Sequence, residues 1–268
     1  MTRPLILLTN DDGIQSPGLA AAAAALDPVG ELLIVAPSTQ QTSMGRSMPA
    51  YYDGRLFKTA IHFGGQSWEA YGANASPAQA VEHAILELAP RPIALAVSGI
   101  NYGENVGIGV TISGTVGAAI EAAAQGIPAI AVSLQVTNVR LFTEHDDSVD
   151  FNAAIHFTRF FAQRWLSIER PPNVDVLKVE IPAQATPQTP WRVTRLERRP
   201  YFVPLPPRRT ALEDEGPLGY TINLPPDASL DTDAGALRAG FVAVTPLCID
   251  MTAHIPPDEL RRLLDSKG

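Results

Sequence analysis

The sequence is poor in cysteine, in positive charge and in long apolar runs. A single thiol, Cys248, excludes an internal disulfide and any zinc site built on several thiolates. Lys and Arg number 20 against 28 Asp and Glu, a net charge of −8. A general nucleic-acid binder needs a dominant basic field, so no nucleic-acid polymer is expected as a partner. No apolar stretch approaches the roughly 20 residues of a spanning helix, and no membrane association is expected. The longest conspicuous run, Leu19 to Leu26, is mostly alanine. Leu5-Ile6-Leu7-Leu8 is too short for the apolar region of a signal peptide and stops at Thr9-Asn10-Asp11-Asp12. It reads as a buried first strand, and the protein as cytoplasmic. Two nucleotide cradles are also missing: no G-x-G-x-x-G follows that strand, and no P-loop lysine occurs.

What is present describes a globular α/β protein. The 268 residues are 46% hydrophobic and 18% charged, enough to bury one large core. Short apolar runs at Leu5–Leu8, Leu32–Ala36, Ile93–Val97 and Pro128–Leu134 alternate with helical patterns. Ser16-Pro17 and Ser76-Pro77 are helix starts, with serine as N-cap and proline at the first helical position. Asp53-Gly54 and Gly64-Gly65 read as hairpin-type turns. Continuous apolar strands separated by helices predict a three-layer, doubly wound, mostly parallel sheet that binds ligands at the carboxyl ends of its strands. Residues 98–114 read as a glycine-rich loop, Thr115–Gln125 as a helix, Val149–Ile168 as a long helix, Val174–Ile181 and Trp191–Arg199 as strands. Most of the 24 prolines fall after residue 170, and 200–231 reads as an extended arm. Phe241–Ile249 and Pro257–Leu264 read as a late strand and a terminal helix. The division expected is a Rossmann-like core over 1–135, with 136–268 completing it and supplying the arm.

Three loops follow strands and carry chemistry. Asp11 and Asp12 are adjacent carboxylates whose repulsion a hard divalent cation such as Mg²⁺ or Mn²⁺ would relieve; an acidic turn is the plainer alternative. Ser98-Gly99-Ile100-Asn101-Tyr102-Gly103-Glu104-Asn105 offers glycines for close approach and asparagines with neutral oxygens and amide donors. Ser113-Gly114-Thr115 opens a helix whose free N–H groups favour an anion, though simple N-capping needs no ligand. Their convergence on one sheet edge favours a metal-assisted phosphate site. A fourth loop, Pro37 to Ser47, adds hydroxyls and Arg46.

The runs LLTNDDGIQSPGL, APSTQQTSMGRS, VSGINYGENVG and TISGTVGAAIEAAAQGIPAIAVS, with DTDAGALRAGFVAVTPL and IDMTAH later, resemble the SurE family of stationary-phase survival proteins and metal-dependent nucleotidases. The resemblance spans residues 5 to 254. It implies one divalent metal ion per subunit, held by Asp11, Asp12, Asn101 and a hydroxyl that aligns at Thr42, with Ser43 as the rival one position on. It implies that Asn10, Gly45, Ser47, Asn105, Ser113, Gly114 and Thr115 line the phosphate end, with Asp11, Asn10 and Asn101 in catalytic roles. The substrate implied is a nucleoside monophosphate or other small phosphate ester, cleaved by attack of metal-activated water on phosphorus. Activity on 3′-nucleotides and polyphosphate falls within the same expectation, as does a homodimer or homotetramer that exchanges C-terminal elements. The chain departs from the family pattern at Ala75-Ser76-Pro77-Ala78-Gln79, at Arg46 in place of His, and at Lys178-Val179-Glu180 in place of Asn-x-Asn. A sugar-nucleotide transferase and a ligand-binding protein without turnover are the rival readings.

Overall fold

A computed structural model of the chain describes residues 2–136, 149–224 and 226–266. In order, the elements are β1 (Leu5–Thr9), α1 (Pro17–Leu26), β2 (Glu31–Pro37), β3 (Leu56–Phe63), β4 (Gln66–Ala73), α2 (Pro77–His83) with a π-turn over Ala84–Leu88, and β5 (Leu95–Tyr102). A 3-10 turn (Gly107–Thr111), α3 (Gly114–Ala124), β6 (Ala129–Leu134), α4 (Asn152–Ser167), β7 (Val176–Ile181) and β8 (Trp191–Val193) follow. Then come β9 (Phe202–Leu205), β10 (Gly219–Ile222), α5 (Asp233–Arg238), β11 (Val242–Leu247) and α6 (Pro257–Asp265).

Nine strands form one sheet in the order β3-β4-β2-β1-β5-β6-β7-β11-β8. Pairing is parallel from β4 through β7 and between β11 and β8, and antiparallel for β3 with β4 and β7 with β11. The continuous apolar run of β1 serves both faces, because successive side chains in a strand point opposite ways. Ile6 and Leu8 join the core under α1 and α4, with Leu19, Leu26, Phe157 and Phe161. Leu5 and Leu7 join the core under α2 and α3, with Val81, Val116 and Ala119. The doubly wound α/β architecture read from the sequence is the one observed.

Several elements differ from expectation. Strand β5 continues through Tyr102, so Ser98–Tyr102 is sheet and not loop. Gly64-Gly65 closes the β3–β4 hairpin, with φ of +55° and +81°. Asp53-Gly54 instead lies ahead of β3, where the Asp53 carboxylate accepts from the Arg55 N–H and from Asn74 Nδ2. Only Trp191–Val193 of the stretch up to Arg199 is strand. Within 200–231, β9 and β10 pair antiparallel as a separate two-stranded ribbon. No described helix is long and apolar enough to cross a membrane.

Candidate active site

The strand order reverses at β1, which has β2 on one flank and β5 on the other. In open α/β sheets a crevice opens at such a switch point, beyond the carboxyl ends of the strands. Asp11 and Asp12 leave the end of β1 there, and Asn101 stands near the end of β5. Asp12 ties the neighbouring segments together: Oδ2 accepts the Tyr102 N–H at 3.1 Å and Oδ1 accepts from Gln40 Nε2 at 3.2 Å. Asn101 Nδ2 donates to the carbonyls of Tyr102 and Gly103, which turns Oδ1 toward the acidic pair.

Thr115, from the first turn of α3, joins these parts. Its hydroxyl donates to Asp11 Oδ1 and lies 2.9 Å from Asn101 Oδ1. The Asp11 and Asn101 oxygens are therefore both within reach of the one Thr115 hydroxyl. Burial, and then the charge of Asp12, push the Asp11 carboxyl up to about 7, against the opposing hydrogen bond from Thr115. An acceptor-rich cluster with a strained carboxylate is the donor set a hard cation favours. Among the described residues no three His, Cys, Asp or Glu side chains gather to hold a metal. A cation at this place would thus combine two carboxylates with neutral amide and hydroxyl oxygens.

A cavity of about 600 Å³ opens from this cluster. Asp11, Asp12, Asn101, Thr42 and Ser43 line one end, and Asn105 and Ser113 stand beside them. Thr42 and Ser43 both line the cavity; Ser43 takes a φ of +64°, uncommon for a residue with a side chain. Ser113 caps α3 by accepting the Val116 N–H at 3.1 Å, and keeps its own hydroxyl proton for another acceptor. The C-terminal half contributes apolar lining. Phe202 and Tyr220 pair edge to face on the β9–β10 ribbon, with ring centroids 5.5 Å apart, beside Pro204 and Leu218.

Four sequence-predicted residues, Asn10, Gly45, Ser47 and Thr115, do not line the cavity, and Gly114 packs directly against Asp11. Asn10 is fully buried, and both ends of its amide pair with the backbone of Gly13, so it closes the turn that carries the acids. Gly45 donates its N–H to the Ile112 carbonyl and packs the loop onto α3. Ser47 Oγ is buried without a hydrogen-bond partner among the described residues, and the Ser47 carbonyl accepts from Ser76 Oγ. Thr115 is buried and touches Asp11 and Asn101 rather than the cavity. A Cβ on Gly114 would lie 2.7 Å from Asp11 Oδ2, so glycine there lets the carboxylate reach the helix start. Tyr102, Phe202 and Tyr220 line the cavity without having been singled out as site residues. The last two are about 100 residues downstream of the acids' partner strand, and no local pattern marks them.

The chain is similar to known proteins over most of its length. A family model described as Survival protein SurE matches residues 6–202. A 5′-nucleotidase SurE of Thermococcus gammatolerans is 41% identical over 262 residues, covering 97% of this chain and 95% of the relative. One from Methanocella arvoryzae is 40% identical, covering 97% of each. The crystal structure of a SurE protein from Aquifex aeolicus superposes with a TM-score of 0.75 at 27% identity, covering 98% of this chain and 100% of that one.

Proposed function

The chain belongs to the SurE family, and from that premise we propose that it is a divalent-metal-dependent phosphatase of the 5′-nucleotidase type. The observation that carries the reading is the buried cluster of Asp11, Asn101 and Thr115 oxygens, with Asp12 alongside. One Mg²⁺ or Mn²⁺ ion per subunit, bound by Asp11, Asp12, Asn101 and the hydroxyl of Thr42 or Ser43, would supply positive charge to a phosphoryl oxygen and make water more acidic. The remaining work falls to the protein. Asn105 and the Ser113 hydroxyl offer donors to the phosphoryl oxygens, where charge must be stabilised during in-line displacement. Asn10 holds the acidic turn in shape through Gly13. Thr115 orients Asp11 and Asn101.

The apolar wall favours an ester with a flat, apolar leaving group, which a nucleoside supplies and inorganic polyphosphate does not. Nucleoside 5′-monophosphates are therefore the primary substrates proposed, with 3′-nucleotides and polyphosphate secondary. Cytoplasmic action and a homodimer or homotetramer with exchanged C-terminal elements complete the reading, residues 1–135 carrying the metal site and 136–268 completing the core, contributing Phe202 and Tyr220 to the cavity and supplying the oligomerisation arm.

Phosphate release from nucleoside monophosphates is measured with metal, with chelator and with metal restored. Activity that disappears and returns supports the proposal. Asp11→Ala and Asp12→Ala are each expected to lose at least about a hundredfold in kcat/KM, the scale of removing one preorganised charge contact. A variant that keeps the parental rate and metal dependence would falsify the assignment of the acids.

A further inference from the structure

A fully buried set of charges lies behind the substrate end of the cavity and takes no part in the chemistry above. Lys178 and Glu180 stand two residues apart on β7, on one face of the strand, and Asp233 begins α5; none has exposed surface. Lys178 Nζ is 3.0 Å from Asp233 Oδ2 and 3.4 Å from Glu180 Oε1. Burial alone would drive the ammonium toward its neutral form, but the two carboxylates outweigh it and hold the lysine charged. All three groups reach one loop. The Asn105 N–H donates to Glu180 Oε2 at 2.9 Å, and the Asn105 carbonyl accepts from Lys178 Nζ at 2.9 Å. Two residues on, the Gly107 N–H donates to Asp233 Oδ2 at 2.8 Å. Both backbone polar groups of Asn105 are thus taken by the ion pair, while the residue itself lines the cavity.

The Asn105 side-chain amide donates one of its hydrogens to Ser133 Oγ at 3.0 Å and keeps the other. We propose that Lys178 and Glu180 are positioning residues for substrate: they clamp the Asn105 peptide so that, with Ser133 holding the amide, its remaining N–H is presented to the cavity. The inference rests on Asn105 being a substrate contact, as proposed above. A buried ion pair is weak evidence for stability, since apolar residues of similar volume often serve as well or better. Apolar residues cannot satisfy the Asn105 N–H and carbonyl, and bonds to charged partners are the stronger kind.

The test is a double-mutant cycle between Glu180 and Asn105. Glu180→Ala removes the acceptor for Asn105, yet leaves Lys178 paired with Asp233, so no buried charge is stranded. It is expected to raise KM for adenosine monophosphate about tenfold, within the range for residues coupled through a shared contact, with kcat and the metal concentration for half-activity little changed. Glu180→Gln keeps an acceptor oxygen and is expected to restore KM to within about twofold of the parent. In an Asn105→Ala background, Glu180→Ala is expected to have no further effect. The same cycle is run on equilibrium binding of adenosine monophosphate in chelator, and melting temperatures are recorded for every variant. A lowered melting temperature with unchanged KM, or losses that add across the cycle, would overturn the positioning role while leaving the nucleotidase reading intact. A parent that binds without turnover, with a non-additive cycle in binding, would overturn the nucleotidase reading and keep the positioning role. A parent that neither binds nor hydrolyses the nucleotide overturns both.

Discussion

At the scale of single residues the site is set by an electrostatic conflict. Asp11 is buried beside Asp12, and its carboxyl is pushed up to about 7. A carboxyl raised in the folded state binds a proton that the unfolded chain has already released above its ordinary value near 4. Its contribution to stability is present at low pH and lost as pH rises toward and through 7. The metal-free protein is therefore expected to melt at a lower temperature at pH 8 than at pH 5. Asp11→Asn removes the repulsion and still accepts from Thr115, so it should abolish most of that fall and melt above the parent at pH 8 in chelator, while losing hydrolysis. Thermal melts of both proteins across this range check it; a parallel fall in the variant would place the conflict elsewhere. The adjacent acids were visible in the sequence because their chemistry is local and a like-charge pair needs a reason. The role of Asn10 was not, because composition says nothing of which side chain in a tight turn folds back on its own backbone. Here the amide closes on Gly13, three residues ahead.

At the scale of elements, close approach decides. Helix α3 is built from small residues because the loops before it press against it: a Cβ on Gly117 would lie 2.2 Å from the Gly45 carbonyl oxygen, and one on Gly114 2.7 Å from Asp11 Oδ2. In an unconstrained helix interior, glycine to alanine gains roughly 1 kcal/mol. Overpacking typically costs about 1–3 kcal/mol and here displaces a carboxylate. Gly114→Ala is accordingly expected to lower the melting temperature and to raise the metal concentration for half-maximal hydrolysis, which titration of activity against metal measures. Retained metal response would show that Asp11 has room to move. Element boundaries were legible where signals were chemical and local. The start of α2 is one: Ser76 and Gln79 form a reciprocal capping box behind Pro77. They were missed where glycine had a packing reason. Gly99 looks like a loop residue, but it lies inside β5, where a Cβ would fall 2.2 Å from the Val132 carbonyl oxygen of the neighbouring strand. No single-sequence pattern shows which strand will lie next to it.

At the scale of the whole molecule, the central sheet is covered on both faces, while α6 and the β9–β10 ribbon are bare. Helix α6 buries none of its side chains, and Leu260, Leu263 and Leu264 are 44%, 60% and 77% exposed. An isolated helix of that length is marginal in water, because most helical stability in proteins comes from packing an apolar face. The β9–β10 ribbon has the same character: it is a two-stranded sheet on its own, and Leu218, Tyr220 and Ile222 remain exposed on or beside it. Its inner face is nonetheless part of the cavity through Phe202 and Tyr220. Contact of these elements with a second copy of the chain would cover their apolar surface and steady the aromatic wall at the same time. Light scattering at micromolar concentration is expected to give a mass of two or four chains. Leu260→Ser with Leu263→Ser should shift that distribution toward single chains without changing the far-UV spectrum of the core, and dilution of the parent should raise KM for nucleotide as the ribbon loosens. A parent that scatters as one chain at every concentration, with a KM independent of dilution, would show that the ribbon and α6 are held by the monomer alone.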